Sequence, residues 1–228
     1  PYLDNQLKQL EMQFNATKQR LGNKFGTKKF IVYFQSFTNT YAPISTLKAL
    51  YEKALSFDNV IGLSIGTRTD CVTEEILDYL VDLSKTKEIW VEYGIQSFYD
   101  ETLVRVNRGD SVSNMKHWIK RTKDKGLNVC GHLIYGLPDE TQEMMLDTFR
   151  QTVELNVDSI KFHPLYVVEN TLLTNEFKKG KFTPISEELY IDTVVKSIVN
   201  LPSNISVQRI TAGIDDSTLL SPEWCRDK

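Results

Sequence analysis

The sequence predicts an α/β fold in which strands and helices alternate and the strands form a parallel sheet or barrel. Short apolar runs alternate with segments of helical spacing, and most strand starts lie about 30 residues apart, the length of a βα unit. Right-handed crossovers curl such a series into one sheet. No Gly/Ser-rich or Pro-rich linker interrupts the 228 residues, which predicts a single domain over 1–228.

Strands are predicted where a short apolar run lies between turn-forming residues. Six such runs occur, at 30–34, 60–65, 88–93, 129–135, 159–165 and 205–210. The run that starts at Val129 ends in Gly136-Leu-Pro138 and leads into acidic and hydroxyl residues, so we expect a buried strand followed by a helix. The ends of these strands matter because ligands of parallel α/β proteins bind at the carboxyl ends of strands.

Helices are predicted from apolar residues that recur every three or four positions. The chain opens with such a helix, which ends near Gly22. Further helices are expected at about 45–55, after a cap at Thr73, and at about 113–125, 140–155 and 186–199. A βα series should begin with a strand, so either the first strand never existed or it lies upstream of Pro1. The well-formed opening helix favours the second alternative.

Composition argues against several functional classes. The formal net charge is −3, from 27 Lys and Arg against 30 Asp and Glu, so no global basic field attracts nucleic acid or an anionic membrane. The longest apolar runs are strand-length, and no secretory signal is recognisable. Cys71, Cys130 and Cys225 are too far apart for a disulfide framework or a local Cys-x-x-Cys metal site, which favours thiols in a reducing cytoplasm.

Uncharged polar residues follow the first predicted strand, and they suit an amide, an amine or a ribose. They include Gln35, Ser36, Thr38 and Asn39. The alternative is a loop that only caps the next helix. After the second strand, Ser64 precedes Arg68, which can hold a carboxylate. An exposed ion pair is the alternative for Arg68.

The third strand ends in a carboxylate and an amide. Both are polar residues within a mostly apolar strand. Glu92 and Gln96 at this strand end can take the two hydroxyls of a ribose. A satisfied buried pair between neighbouring strands is the alternative. Arg108, which we expect on a short helix, is a further candidate for binding a carboxylate.

Two histidines interrupt apolar strands. His132 shares its strand with Tyr135, and Gly131 and Gly136 are expected to leave room beside the backbone for a ligand. His163 lies at a matching depth on the next strand. A lone histidine on a strand is usually a satisfied core residue, but two on adjacent strands favour a ligand-binding or catalytic role.

Several common motifs for nucleotide binding, metal binding and nucleophilic catalysis are missing from the sequence. No Gly-x-Gly-x-x-Gly follows a strand, and no P-loop, His-Glu-x-x-His or Gly-x-Ser-x-Gly occurs. The predicted site is rich in amides and hydroxyls and poor in acid–base groups. This composition indicates that a bound cofactor carries the chemistry.

Five short motifs occur in order along the chain. They are Phe34-Gln-Ser-Phe-Thr-Asn-Thr-Tyr-Ala-Pro43, Ser64-Ile-Gly-Thr-Arg68, Val91-Glu-Tyr-Gly-Ile-Gln-Ser97, Val106-Asn-Arg-Gly109 and His132-Leu-Ile-Tyr-Gly-Leu-Pro138. In order and spacing they resemble the radical S-adenosylmethionine (radical SAM) enzymes. They are most similar to a bacterial branch related to the elongator catalytic subunit and coproporphyrinogen dehydrogenase. The resemblance covers nearly the whole chain.

The resemblance implies a partial (βα) barrel of the radical SAM (TIM-like) type, with the first strand absent from this chain. It also implies two cofactors, SAM and a [4Fe-4S] cluster held by a three-cysteine loop after that first strand. In such enzymes an electron from the cluster splits the sulfonium of SAM into methionine and a 5′-deoxyadenosyl radical, which abstracts hydrogen from a substrate. The substrate is not identified by this sequence.

The resemblance also implies roles for individual positions. Gln35 to Asn39 match the segment that usually receives the methionine amine of SAM. Glu92 and Gln96 match positions facing the ribose, and Arg108 matches the arginine that can pair with the SAM carboxylate. The segment from His132 to Gly136 resembles the one that lines the adenine.

The predicted site therefore has a cofactor-binding part and a substrate-facing part. The cofactor-binding residues are Gln35, Ser36, Thr38, Asn39, Ser64, Arg68, Glu92, Gln96, Arg108, His132, Tyr135 and Gly136. The substrate-facing residues are His163 and Tyr166. No residue of this chain is assigned as a metal ligand.

The sequence departs from the family at the cluster. Nothing before Cys71 could supply the three-cysteine motif, so the cluster ligands are not present in this chain. Relatives also tend to carry an acid near Gly66 and another near His132. We therefore expect the fragment itself to be inactive, and the full-length protein to be a radical SAM oxidoreductase- or transferase-like enzyme reduced by a flavodoxin or a ferredoxin.

Two alternatives stay open at this point. One is a non-catalytic barrel that binds RNA or a partner protein through a basic helix, whose charged residues are Lys116, Lys120, Arg121, Lys123 and Lys125. The other is an unrelated barrel lyase with a metal at His132 and His163. No membrane partner is expected, and RNA is a possible substrate.

Overall fold

The computed structural model describes residues 2–35, 37–213 and 217–226. The helices are α1 (Tyr2–Phe25), α2 (Ile44–Leu55), α3 (Glu74–Ser84), α4 (Asp100–Arg105), α5 (Val112–Asp124), α6 (Gln142–Glu154), α7 (Leu172–Lys178) and α8 (Glu187–Val199). The strands are β1 (Phe30–Phe34), β2 (Val60–Thr67), β3 (Glu88–Gln96), β4 (Asn128–Tyr135), β5 (Ser159–Pro164), β6 (Val167–Val168), β7 (Ser206–Arg209) and β8 (Leu219–Ser221). Of the described helices, none has the length and apolar character needed to cross a membrane.

Six strands form one sheet in the order β1-β2-β3-β4-β5-β7. The pairs β1–β2, β2–β3, β4–β5 and β5–β7 are all parallel. The two short strands β6 and β8 form a separate antiparallel pair. This topology confirms the predicted α/β class with a parallel sheet.

The chain divides into two compact units. The first unit comprises residues 1–93 and 121–129, and the second comprises 94–120 and 130–228. Each unit is described by itself below. The single domain over 1–228 stays a prediction.

In the first unit, the core forms where α2 and α3 bury one face each. Leu47, Tyr51 and Ala54 recur at helical spacing on α2 and are buried, and α2 contacts β2. On β2, Leu63 and Ile65 are fully buried. Helix α3 begins at a side-chain cap, because the backbone N–H of Ile76 donates to the Thr73 hydroxyl at 3.3 Å.

The β2–β3 pairing depends on a residue without a side chain. Gly62 lies opposite Glu88 in this parallel pair. A Cβ at Gly62 would lie 2.0 Å from the carbonyl oxygen of Glu88, far inside any allowed contact. The same register places Gly66 opposite Glu92.

In the second unit, aromatic side chains fill the space between the strands and helices α6 and α8. The ring of Phe162 on β5 lies 6.3 Å from Phe149 of α6 and 5.4 Å from Tyr135 of β4, between ring centroids. Tyr190 of α8 lies 6.2 Å from Tyr135. These rings define the helix-covered face of β4 and β5.

The element predictions need three corrections. Arg108 lies after the short helix α4, not on it, because Asn107 and Gly109 adopt left-handed φ values of 52° and 69° that end the helix. The opening helix continues past Gly22 to Phe25. The polar connection from 167 to 183 contains β6 and α7, which are too short for their periodicity to be recognised in the sequence.

Replacing Gly62 by Ala should destabilise the protein by about 2 kcal/mol or more, because the added methyl overlaps a backbone oxygen that cannot move alone. The matched control is Gly22→Ala in helix α1, where nothing lies within 4 Å of the added Cβ. That change should instead stabilise by about 0.5–1 kcal/mol. Urea unfolding of both variants measures the difference, and equal stabilities would contradict the close β2–β3 approach.

Candidate functional site

Asn39 in the first unit joins the end of β1 to the end of β2. Its side-chain Nδ2 donates to the carbonyl oxygens of Phe34 at 3.0 Å and of Gly66 at 2.9 Å. Its own carbonyl oxygen accepts a hydrogen bond from the Tyr51 hydroxyl at 2.6 Å. Both hydrogens of the amide are therefore used by the backbone, and only the amide oxygen of Asn39 stays available for a ligand. The alternative of a segment that only caps the next helix is not what Asn39 does, since helix α2 begins after Pro43 without a side-chain cap.

The other members of this segment differ in exposure. Gln35 is exposed and Thr38 is half-buried. Ser36, which we also predicted to bind the cofactor, lies outside the described residues. Phe37 adopts a left-handed φ of 62° with its ring almost completely exposed.

Glu92 is a buried carboxylate in the first unit, with 2% of its surface exposed. The hydroxyl of Ser64 on the neighbouring strand donates to its Oε1 atom. Ser64 is itself buried. The two residues predicted separately from the tips of β2 and β3 are thus hydrogen-bonded, as in the alternative of a satisfied pair between neighbouring strands. Their proposed contact with a ribose stays a prediction.

Arg68 forms an ion pair with its near neighbour Asp70. Nε donates to Oδ1 at 2.7 Å and Nη2 donates to Oδ2 at 2.6 Å, so the pairing is bidentate. Each side chain keeps 31% of its surface exposed. The ion pair named as the alternative is therefore present at Arg68, and its binding of a cofactor carboxylate stays a prediction.

Gly94, Gln96 and Arg108 come together in the second unit. Nη2 of Arg108 donates to the carbonyl oxygen of Gly94 at 2.6 Å. A Cβ at Gly94 would lie 3.2 Å from this Nη2 atom and 2.9 Å from Nε2 of Gln96. The missing side chain thus makes room for a guanidinium and an amide at one point. This close grouping of Gln96 and Arg108 was expected from the sequence.

Gln96 shows two signs of a functional position. Its φ is 69°, a left-handed conformation that a residue with a long side chain rarely adopts. Its Oε1 atom is buried and accepts no hydrogen bond from any of the described residues. An unsatisfied buried oxygen costs about 1–3 kcal/mol, and strained backbone concentrates at ligand-binding sites.

Glu140 is a functional candidate that sequence reasoning missed. The hydroxyl of Ser97, the residue after Gln96, donates to Oε1 of Glu140, and the Thr102 hydroxyl also hydrogen-bonds this carboxylate. Burial raises the pKa of Glu140, while the two hydrogen bonds lower it in part. No sequence spacing links residue 97 with residue 140, and only the acidic start of the segment before α6 marked Glu140 at all.

The loop after Gln96 is fixed by further hydrogen bonds to side chains. The backbone N–H of Phe98 donates to the Thr148 hydroxyl, and that of Tyr99 donates to the Ser97 hydroxyl, each at 3.2 Å. Ser97 is fully buried. Through these bonds, Glu140 and α6 determine the path of the chain directly after Gln96.

His132 and Tyr135 were predicted to line one ligand, but their side chains lie on opposite faces of β4. Successive side chains of a strand point to opposite faces, so residues three apart lie on different faces. The Tyr135 ring is buried and its hydroxyl lies 2.7 Å from that of Ser197, which itself donates to the Thr193 carbonyl oxygen. Since a serine has one hydroxyl hydrogen, Tyr135 must donate to Ser197. The side chain of Tyr135 therefore belongs to the helix-covered face.

The space that we expected beside Gly131 and Gly136 is filled by the protein itself. A Cβ at Gly131 would lie 2.9 Å from Cδ1 of Ile95. At Gly136, with φ of 90°, it would lie 2.7 Å from Cβ of Ile185. The backbone N–H of Gly136 donates to the sulfur of Met145 at 3.1 Å. Both glycines thus serve close packing, which corrects their assignment as openings for a ligand.

His163 and Tyr166, the predicted substrate-facing pair, do contact each other. Their ring centroids lie 4.6 Å apart at an interplanar angle of 61°. Nδ1 of His163 lies 2.5 Å from the carbonyl oxygen of Pro164, so Nδ1 carries the hydrogen and Nε2 carries the lone pair. Burial, with the nearby positive charges of Arg209 and His132, lowers the pKa of His163 to about 4. The imidazole is therefore neutral at physiological pH.

Two cations at and just after the end of α5 are neutralised by acids of the same first unit. Arg121 binds both carboxylate oxygens of Glu74, at 2.6 and 2.9 Å, and Lys125 lies 2.9 Å from Glu74 and also contacts Asp78. These guanidinium and ammonium hydrogen bonds lower the pKa of Glu74 to about 2. The pairs weaken the RNA-binding alternative, because two of its five charges already have partners.

The metal-binding alternative paired His132 with His163. In the β4–β5 register, His132 lies opposite Lys161, and His163 lies opposite Ile134. The two histidines thus lie on the same face of neighbouring strands, and their positions differ by two residues along the strand direction. In the part of the chain that the structure describes, His163 belongs to no cluster of three potential metal ligands.

Comparison with protein families gives matches over almost the whole chain. The model of the radical SAM superfamily matches residues 7–152, which is more than half of the chain. A second model, the radical SAM C-terminal domain, matches residues 157–228. The first matched segment ends within α6, and the second begins just before β5.

Curated relatives from two bacteria match closely. The chain is 33% identical over 227 residues to the uncharacterised Bacillus subtilis protein YtqA, covering all of this chain and 70% of the relative. It is 37% identical over 202 residues to the Escherichia coli protein YhcC, covering 88% of this chain and 65% of the relative. The chain thus spans about two thirds of the length of these relatives.

One solved structure combines strong structural and sequence similarity. The archaeal Methanocaldococcus infernus Elp3 with an N-terminal deletion superposes with a TM-score of 0.78 at 26% identity, covering 92% of this chain and 54% of that protein. Together with the family models, this match confirms the predicted fold class, a partial (βα) barrel of the radical SAM type. It also confirms the resemblance to the elongator branch.

Glu140→Gln should change how stability depends on pH. A raised pKa in the folded state means that the contribution of Glu140 is fully present below the unfolded pKa of about 4.3 and is lost as pH rises through the folded pKa. Gln keeps an oxygen that accepts from Ser97 but carries no charge. The unfolding free energy of the variant minus that of the unmodified chain should therefore increase from about pH 4 to about pH 7. Urea titrations across this range measure it, and a flat difference would contradict the burial of this carboxylate.

Proposed function

Because the chain belongs to the radical SAM superfamily, we propose that it is the core of an enzyme that uses SAM and a [4Fe-4S] cluster to remove hydrogen from its substrate. In this proposal the second unit binds the nucleoside and carboxylate ends of SAM through Gln96 and Arg108. His132 contributes from β4. The assignments of Gln35, Ser64 and Glu92 in the first unit stay predictions.

The observation that carries this proposal is the cluster of Gly94, Gln96 and Arg108. A guanidinium suits a carboxylate, since it presents N–H donors in a planar fork. An amide suits a ribose, because its oxygen accepts from one hydroxyl and its nitrogen donates to another. The buried Oε1 of Gln96 accepts no hydrogen bond among the described residues, and a ribose hydroxyl would satisfy it. The residues present therefore fit the group that the family implies.

The protein supplies position rather than acid–base chemistry at this point. Arg108 is held by its bond to the Gly94 carbonyl oxygen, so its remaining N–H groups have a defined direction. The Ser97–Glu140 hydrogen bond anchors the residue directly after Gln96, and Gln96 itself has the left-handed conformation. Such preorganisation lowers the entropy that the protein loses when a ligand binds.

When bound, the cluster supplies the electron that cleaves the sulfonium of SAM. We propose that the neutral His163 and the phenol of Tyr166 lie on the substrate side. Burial lowers the pKa of His163 and raises the pKa of Tyr166 to about 12, so neither group is charged at neutral pH.

Arg108→Gln should weaken binding of SAM about 10- to 100-fold, because a charge-assisted hydrogen bond to the carboxylate is lost. Gln96→Ala should weaken it about tenfold through the ribose. Isothermal titration calorimetry of the 228-residue chain with SAM gives both affinities. The matched control is Arg105→Gln, since Arg105 is exposed and paired with Asp139 and Glu176. Unchanged affinity in Arg108→Gln, or loss in Arg105→Gln as well, would refute this binding site.

We further propose that the 228-residue chain binds SAM but does not turn it over, because its cysteines at 71, 130 and 225 are too far apart in sequence for a three-cysteine loop. After anaerobic incubation with iron, sulfide and dithionite, it should release no 5′-deoxyadenosine. A longer polypeptide that carries a three-cysteine loop upstream should release it. Formation of 5′-deoxyadenosine by the 228-residue chain would contradict the proposal.

A further inference from the structure

Basic side chains lie opposite one another on neighbouring strands of the second unit. In the register of β5 and β7, Lys161 lies opposite Arg209, and in that of β4 and β5 it lies opposite His132. His132 and Lys161 pair directly in β4 and β5, so both point to the same face of the sheet. His163 follows two residues after Lys161 and therefore shares this face. The β5–β7 register shifts between Ile160 and Lys161, so strand alternation does not assign the face of Arg209. The charge of Arg209 acts on His163, which places the guanidinium near that ring.

This face is the one opposite helix α6. Phe162, between Lys161 and His163, points to α6 and packs on Phe149. The alternation of a strand sends its two neighbours the other way. No Asp or Glu occurs within β4, β5 or β7, so these strands contribute no carboxylate to the face.

Arg209 has N–H groups that can donate to a ligand. It is half-buried, and its Nε donates to the carbonyl oxygen of Phe162 at 3.3 Å. Within 2–35, 37–213 and 217–226, it forms no ion pair with any acid. The Nε bond holds the guanidinium against the end of β5, and its two NH₂ groups stay available for an anion.

Tyr166 adds a second donor beside this guanidinium. Its hydroxyl is buried and has no hydrogen-bond partner among the residues that the structure describes. Its ring packs against His163 at 4.6 Å, and the positive charge of Arg209 acts on both rings. A buried hydroxyl without a partner requires an explanation, and a bound group that accepts from it is one.

We propose that Arg209, Tyr166 and His163 form a subsite for an oxyanion of the substrate, either a carboxylate or a phosphate. The two NH₂ groups of Arg209 and the phenol of Tyr166 donate to the oxyanion. Nε2 of His163, whose lone pair is free because Nδ1 holds the hydrogen, accepts from a neighbouring hydroxyl or amine of the substrate. The assignment to the substrate rests on the proposed function, whereas oxyanion binding itself does not.

Inorganic phosphate and acetate are the probes for this subsite. NMR titration of the 228-residue chain with each anion, at constant ionic strength set with chloride, should shift the ring signals of His163, one of only three histidines. Tighter binding of phosphate indicates a phosphate-bearing substrate, and tighter binding of acetate a carboxylate. Absence of a saturable His163 shift with both anions would overturn the proposal.

Two variants separate the subsite from a structural role. Arg209→Gln should raise the dissociation constant for the better anion about tenfold or more. Tyr166→Phe should also weaken it, yet its melting temperature should equal or exceed that of the unmodified chain, because an unsatisfied buried hydroxyl is removed. Arg105→Gln, an exposed and ion-paired arginine, is the control and should leave the dissociation constant unchanged. Equal anion affinity in Arg209→Gln, or a lower melting temperature for Tyr166→Phe, would count against the subsite.

The affinity for SAM distinguishes failure of this inference from failure of the proposed function. Arg209→Gln and Tyr166→Phe are expected to bind SAM as tightly as the unmodified chain. If the unmodified chain binds the oxyanion but not SAM, the proposed function fails and the assignment to its substrate fails with it. If SAM binds and the oxyanion does not, only the present inference is overturned.

Discussion

The absence of a side chain at Gly94 is the constraint on which the polar cluster of the second unit depends. A Cβ there would lie 2.9 Å from the Gln96 amide and 3.2 Å from the Arg108 guanidinium. Glycine lets Arg108 donate to the Gly94 carbonyl oxygen while the Gln96 amide lies beside it, and a larger residue would displace these two side-chain ends. The chain holds Gln96 in a left-handed backbone conformation, which raises the free energy of the folded protein. Favourable contacts with a bound ligand can offset this strain. In the proposed function, the ribose and the carboxylate of SAM are the groups that Gln96 and Arg108 bind.

Two candidate binding groups differ from the structural ones in that they are buried polar atoms without a hydrogen-bond partner among the described residues. Asn39, Tyr135 and Arg68 were all plausible ligands in the sequence, yet each donates hydrogen bonds to the protein itself. The Gln96 amide oxygen and the Tyr166 hydroxyl are buried and accept or donate nothing among the described residues. Because an unmade hydrogen bond costs more than a made one contributes, such groups are expected where a ligand completes the structure.

The parallel sheet and most of its helices could be predicted from the sequence, because apolar runs and helical spacing record which faces are buried. The pairing of Gln96 with Arg108 was likewise expected from the motif resemblance. Sequence could not reveal Glu140, whose partner Ser97 is 43 positions away, nor Arg209, whose proposed role depends on its place near His163. It also misjudged Gly131 and Gly136, since a glycine that admits Ile95 or Ile185 looks the same as one that admits a ligand. Register and side-chain packing are long-range properties, and no local pattern encodes them.

The most direct test of the account is the response of two side chains to SAM. In a ¹⁵N-labelled chain, the side-chain amide of Gln96 and the guanidinium Nε of Arg108 give separate NMR signals that single substitutions assign. The account predicts that SAM shifts both signals in a saturable manner with one common dissociation constant. If SAM saturates the protein while both signals stay in place, the cluster around Gly94 is not its binding site.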